Sequence, residues 1–297
     1  MKSKLLFILV FSIFLVFFYK NVSNASEIVE DKKIKVSEDK EIGVVTLKIN
    51  KEDLKKQEKI SFANNRMILA NENVTEDYVN NYYYNQLNNN LSKQIYNILL
   101  NDVEATGNVS TNINGYIYNV SDFSQEKRSE VFDKYLLPYI CDGLHAFIEE
   151  RAERYWWNYD ISFSYTYINY TNLGKLEFSK IELIAGNCPE KTKRNEFNKK
   201  LEEVAASIQG NSIYDIVKEA HNYICRTVKY ELSETSNINH TAYGALMNYK
   251  AVCDGQSSLF VLLCRKNNIK AITVSGNAIT STRRNRRTSV DIYLSPR

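Results

Sequence analysis

An alternation of large apolar and small polar residues constrains the fold of this chain most strongly. Every second residue from 161 to 167 is apolar, and a turn containing Asn172 and Gly174 leads into a second apolar run. The apolar members are Ile161, Phe163, Tyr165, Tyr167, Leu176, Phe178, Ile181 and Leu183. A period of two around a short turn predicts an antiparallel hairpin that buries one face.

Two stretches with helical spacing precede this predicted hairpin. One runs from Thr75, a predicted N-cap, to about Asn101, and the other covers 125–154 with an interruption near Pro138. Helices beside an antiparallel ribbon indicate an α+β fold, and we assign residues 60–187 to an α+β extension domain. Its two tryptophans are predicted to anchor the core, and an exposed aromatic patch for a glycan or peptide is the alternative. These residues are Trp156 and Trp157.

The first residues predict a secretory signal peptide over 1–25. Lys2 and Lys4 precede a short apolar run, and small residues follow it at 23–25. An uncleaved membrane anchor is the alternative. Residues 26–59 are expected to form a charged linker and one strand, and the protein is expected to be secreted or on the cell surface. The formal net charge of +3 is too small to predict a nucleic-acid partner or a membrane-surface partner. Membrane contact is therefore expected only through the signal.

One of the five cysteines has neighbours that indicate chemistry. The cysteines lack Cys-x-x-Cys spacing, and no metal site or cofactor is predicted. Cys225 and Cys264 lie on predicted apolar helix faces and are expected to be core residues. Cys141 and Cys188 stay open, a disulfide included. Cys253 opens an apolar helix, where the helix dipole favours the thiolate that attacks a carbonyl carbon.

The residues around Cys253 resemble the core of the bacterial transglutaminase-like superfamily, in its exported clostridial type. Three blocks carry the resemblance, which spans residues 212–276: TAYGAL at 241–246, AVCDG at 251–255 and IKAITVSG at 269–276. Gln256 and Ser257 stand where an aromatic residue and an alanine are more usual. The resemblance implies a papain-like fold whose cysteine helix packs on an antiparallel sheet, present here as a partial domain over 205–281.

The same resemblance implies cysteine-dependent acyl transfer with Cys253 as the catalytic nucleophile. Its substrates are expected to be protein or peptide amides. Their association with the cell wall is left open, and so is the choice between crosslinking and hydrolysis. The family places a histidine and an aspartate after the cysteine, but His145, His221 and His240 all precede Cys253. We interpret His240 as a loop residue, and Asp291 follows no matching histidine. The chain alone is therefore expected to be inactive or nearly so.

The basic run at 282–297 is expected to be a tail, and an out-of-frame translation of these residues is left open. One choice of codons for residues 283–291, with its first base dropped, encodes Glu-Glu-Thr-Glu-Gly-His-Leu-Trp. Gly-His-x-Trp is the strand that the family has at this point, so we hypothesise a truncated or frameshifted translation of a longer gene. A solvated tail is the alternative, and the nucleotide sequence across Ser281 distinguishes the two.

Two other functional hypotheses are kept. The aromatic-rich residues 60–187 could form a non-catalytic module that binds the cell surface or the cell wall. Cys253 could also be an incidental core cysteine of an unrelated α+β protein. Cysteine-based catalysis requires that its thiol is not enclosed in apolar side chains.

Overall fold

The computed structural model describes residues 26–49, 81–158, 160–231, 237–280 and 283–293. Side chains are described for residues 30–48 and, within the later ranges, up to residue 274. The predicted signal peptide and the predicted N-cap Thr75 lie outside the described residues. None of the described helices is long and apolar enough to cross a bilayer.

Strands and helices are mixed along the described chain. The strands are β1 (Ser26–Ser37), β2 (Lys40–Ile49), β3 (Asn108–Asn119), β4 (Ile161–Tyr170), β5 (Lys175–Ala185), β6 (Lys229–Tyr230), β7 (Lys250–Ala251), β8 (Ala271–Thr280) and β9 (Arg283–Tyr293). The α-helices are α1 (Tyr82–Gln86), α2 (Asn90–Leu100), α3 (Gln125–Tyr135), α4 (Leu137–Glu150), α5 (Lys191–Ser207), α6 (Ile213–Thr227), α7 (Ala242–Met247) and α8 (Cys253–Lys266). Short 3-10 helices cover Tyr155–Asn158, Thr171–Leu173 and Asn237–His240.

The predicted hairpin is confirmed as β4 and β5, the centre of a five-stranded antiparallel sheet. The strand order is β1-β2-β4-β5-β3. All eight apolar residues that predicted the hairpin are buried. Gly174 ends the connecting turn with φ of 59°, a left-handed conformation that glycine adopts at little cost.

The prediction of a charged linker after residue 26 is wrong, because Ser26–Ser37 forms the edge strand β1. Asp31 of β1 accepts a hydrogen bond of 2.9 Å from the buried guanidinium of Arg128 on α3. The ring of Tyr167 lies 4.4 Å from the same guanidinium. Charged residues are common on edge strands, which is why the composition of β1 resembles that of a linker.

Helices cover one face of the sheet through aromatic contacts. Phe132 of α3 stacks on Tyr165 of β4, with ring centroids 4.1 Å apart. The predicted interruption near Pro138 is confirmed, since α3 ends before α4 begins. The helix predicted up to Asn101 is instead divided, and the Asn89 side chain caps α2 by accepting from the Leu91 N–H at 2.8 Å.

Both tryptophans are core residues, so the core interpretation is confirmed over the exposed patch. Trp156 is 3% exposed and Trp157 is 0% exposed. They belong to the 3-10 helix that links α4 to β4. The two tryptophans therefore stabilise the fold and do not form an exposed aromatic patch.

The C-terminal half surrounds α8. This helix contacts α5, α6 and α7, and it also contacts both strands of the β8–β9 hairpin. The predicted cap of α6 is confirmed, with the Ser212 hydroxyl accepting from the Asp215 N–H at 3.2 Å. The structure differs at the basic run, where residues 283–293 pair with β8 and do not form a tail. β-branched residues at 288, 290 and 292 favour a strand there, a signal that the arginines obscured.

The end of α8 is tied to the N-terminal half by hydrogen bonds. Arg265 donates to the Glu150 carbonyl at 2.6 Å and to the Ala271 carbonyl at 3.2 Å. Burial lowers the pKa of Arg265. The Tyr83 hydroxyl donates to the Thr273 carbonyl on β8. The cysteine helix is therefore held from both halves of the molecule.

Candidate active site

Cys253 is the first residue of α8, as the sequence predicts, and its side chain is partly exposed. Cys141 and Cys264 are buried by contrast. The N-cap residue Val252 supplies no side-chain hydrogen bond to the first turn. Backbone N–H groups of a first helical turn lack intrahelical partners and can donate to an oxyanion beside the thiol. The Gly255 N–H of this turn instead donates to the Asp254 carboxylate at 3.0 Å.

A segment just before α7 fixes the start of the cysteine helix. The Val252 N–H donates to the Asn239 carbonyl at 3.0 Å. Glycines permit this close approach: a Cβ on Gly255 would lie 2.4 Å from the same carbonyl oxygen, and one on Gly244 would lie 2.3 Å from the Ile238 carbonyl oxygen. The glycines of the TAYGAL and AVCDG blocks therefore have a steric reason, independent of any resemblance.

His240 is not the loop residue that the sequence suggested. It ends the 3-10 helix Asn237–His240, and its Nδ1 lies 2.7 and 2.9 Å from the two carboxylate oxygens of Asp254. The carboxylate accepts, so Nδ1 carries the proton that it donates. The Asn158 side-chain amide donates to the His240 carbonyl at 2.8 Å. The imidazole is thus oriented by the residue that follows Cys253.

Sequence analysis missed the His240–Asp254 pair because nothing in its spacing indicates contact. The two residues lie on different elements, and α7 and β7 separate them in the sequence. Their side chains are 28% and 26% exposed, so the pair lies at the surface of the domain. The available clue was the position of Asp254 directly after the candidate nucleophile.

The remaining cysteines divide between core and surface. The core prediction is confirmed for Cys264 and wrong for Cys225, which is exposed. Cys225 follows the buried Ile224 on α6, so it lies beside the apolar stripe, and its Sγ is 3.6 Å from Nε2 of His221. No disulfide joins any of the five cysteines, so Cys141 and Cys188 are not bridged. Within the described ranges, His, Cys, Asp and Glu form no cluster of three that could hold a metal ion.

Comparison with protein families identifies the part of the chain that carries Cys253. A model described as the Transglutaminase-like superfamily matches residues 202–297. The comparison with curated proteins gives no match. The matched range includes Cys253, the His240–Asp254 pair and both strands of the β8–β9 hairpin. The chain therefore carries a transglutaminase-like superfamily domain over residues 202–297, which follows the five-stranded sheet in the sequence.

Proposed function

We propose that this chain is an exported protein whose Cys253 performs acyl transfer on protein amides. The observation that supports it is an accessible thiol on the first residue of α8, inside a transglutaminase-like domain. The charged start and apolar run of residues 1–25 support export.

The chemistry follows from the position of the thiol. The thiolate attacks the amide carbonyl carbon, an S–C bond forms, and the carbonyl oxygen becomes an oxyanion held by first-turn N–H groups. The C–N bond then breaks as the departing amine takes a proton, which leaves a thioester. Water converts the thioester to a carboxylic acid, whereas a lysine amine converts it to a new amide.

Proton transfer is the weak step in this chain. All three histidines precede Cys253, and among the described residues no imidazole hydrogen-bonds to its thiol. General acid–base catalysis contributes about 10²–10⁴-fold, so amide substrates are expected to react slowly with this polypeptide.

A non-catalytic module for the cell surface or cell wall is the alternative function. It was suggested by the many aromatic residues before residue 187. Trp156, Trp157 and Tyr165 are buried, so these side chains have little surface to offer. The acyl-transfer proposal has the stronger support.

An activated ester tests the proposal because its leaving group needs no proton. Purified chain is mixed with p-nitrophenyl acetate, and the burst of p-nitrophenolate is compared among the parent, Cys253→Ala and Cys225→Ser. We expect a burst of about one equivalent in the parent and Cys225→Ser, none in Cys253→Ala, and an acetyl group on Cys253 by mass spectrometry. A burst that persists in Cys253→Ala would contradict the proposal.

A further inference from the structure

A cavity of about 310 Å³ lies beside the start of α5, and Cys253 is not among its lining residues. Its wall combines the 3-10 helix Tyr155–Asn158, the first turn of α5 and the loop after α2. Ligand pockets for small molecules begin at about this volume. The residues that bear on its chemistry are Glu104, Glu153, Arg154, Trp156, Lys191 and Arg194.

Two arginines flank one indole in this cavity. The guanidinium carbons of Arg154 and Arg194 lie 5.6 and 5.9 Å from the centre of the Trp156 ring. Backbone carbonyls hold both groups: Arg154 donates to the Asp102 carbonyl at 2.7 Å, and Arg194 donates to the Pro189 and Glu104 carbonyls at 2.5 and 3.2 Å. The guanidiniums are therefore positioned without being neutralised.

The lining of the cavity carries three cationic side chains and two carboxylates, so its formal charge is positive. Among the described residues, Arg154, Lys191 and Arg194 take part in no salt bridge, although Glu104 and Glu153 line the same cavity. Lys191 begins α5, whose N-cap residue Glu190 supplies no side-chain hydrogen bond. The positive end of the helix dipole thus adds to three cationic side chains.

Trp156 lines the cavity and is 3% exposed, and its Nε1 has no hydrogen-bond partner in the part of the chain that the structure describes.

We propose that this cavity binds an oxyanion, the carboxylate or phosphate group of a small ligand. Planar guanidiniums bind both groups through paired N–H donors. The site does not depend on the acyl-transfer proposal.

Calorimetric titration of the full chain with inorganic phosphate and, separately, N-acetylglycine tests the site. Sodium chloride at matched ionic strength gives the background. We expect saturable binding of at least one probe with a Kd of about 1 mM or tighter. Phosphate binding alone assigns a phosphate ligand, N-acetylglycine binding alone assigns a carboxylate ligand, and both together assign the shared oxyanion chemistry.

Variants connect binding to this cavity. Lys191→Ala removes a cation that makes no hydrogen bond to the described chain, and we expect the affinity to fall at least about five-fold. Lys199→Ala on the same helix and Cys253→Ala should bind like the parent. Absence of saturable binding above the chloride background would overturn the proposal, and so would equal affinities in Lys191→Ala and Lys199→Ala.

Discussion

Cys253 and Cys225 show how position on a helix decides the chemistry available to a cysteine. Cys253 starts α8, where backbone N–H groups of the first helical turn lie beside the side chain, whereas Cys225 lies near the end of α6 beside His221. Sequence analysis predicted the first position because a cap-proximal cysteine needs only local information. It failed at Cys225, since one residue along a helix moves a side chain from the core to solvent.

The His240–Asp254 pair is predicted to stabilise the start of α8. His240→Ala and Asp254→Asn should each lower the free energy of unfolding by about 1 kcal/mol, as expected for a partly exposed pair. The double variant should lose less than the sum of the two, because one interaction is removed in both. Urea unfolding of the four proteins measures this coupling, and strictly additive losses would show that the contact contributes nothing.

Asp133 is predicted to make stability depend on pH. Burial raises its pKa to about 6 from 3.8. The folded state then binds more protons than the unfolded state between these values, so the free energy of unfolding falls as pH rises from about 4 to about 6. Asp133→Asn should reduce this slope and stabilise the protein at pH 7.5 by at most about 3 kcal/mol.

Urea unfolding at pH 4.5 and pH 7.5 checks the Asp133 prediction. Glu130→Gln on the same helix is the control, because Glu130 lies at the surface beside Lys127. If the free energy of unfolding of Asp133→Asn changed with pH as steeply as that of the parent, this account of Asp133 would be wrong.

At the scale of elements, the edge strand β1 depends on one buried ion pair. Asp31→Ala would leave Arg128, whose side chain is 1% exposed, without its carboxylate. Removing one partner of such a pair costs about 3 kcal/mol or more. Lys32→Ala on the same strand should change stability by less than about 0.5 kcal/mol. Equal unfolding midpoints for the two variants in urea would show that Arg128 does not need Asp31.

Elements with a strong apolar period could be predicted, and elements defined by distant partners could not. The β4–β5 hairpin, α3, α4 and α8 follow from periodicity and caps. β1 escaped prediction because its stabilising contact is with Arg128, far away in sequence. β9 escaped because charge concealed its β-branched residues. The His240–Asp254 pair of the site could not be predicted either, because its two residues lie on different elements.

At the scale of the whole molecule, Arg265 joins the cysteine helix to the N-terminal half. Arg265→Ala would leave the Glu150 and Ala271 carbonyls without this donor and open a space beside them. We expect a loss of about 2–4 kcal/mol and a broader, less cooperative thermal transition. Lys266→Ala, next to it but more exposed, should unfold like the parent. A sharp, unshifted transition in Arg265→Ala would show that the two halves do not rely on this contact.

The reactivity of Cys253 tests the central claim most directly. Iodoacetamide labelling at pH 7 is followed at all five cysteines by peptide mass spectrometry. His221→Ala serves as the background, so that no imidazole lies beside Cys225. As the nucleophile of the proposed acyl transfer, Cys253 is predicted to react about ten-fold faster than the more exposed Cys225, and the difference should vanish in urea. Folded-state labelling of Cys253 no faster than that of Cys225 would contradict its role as a nucleophile.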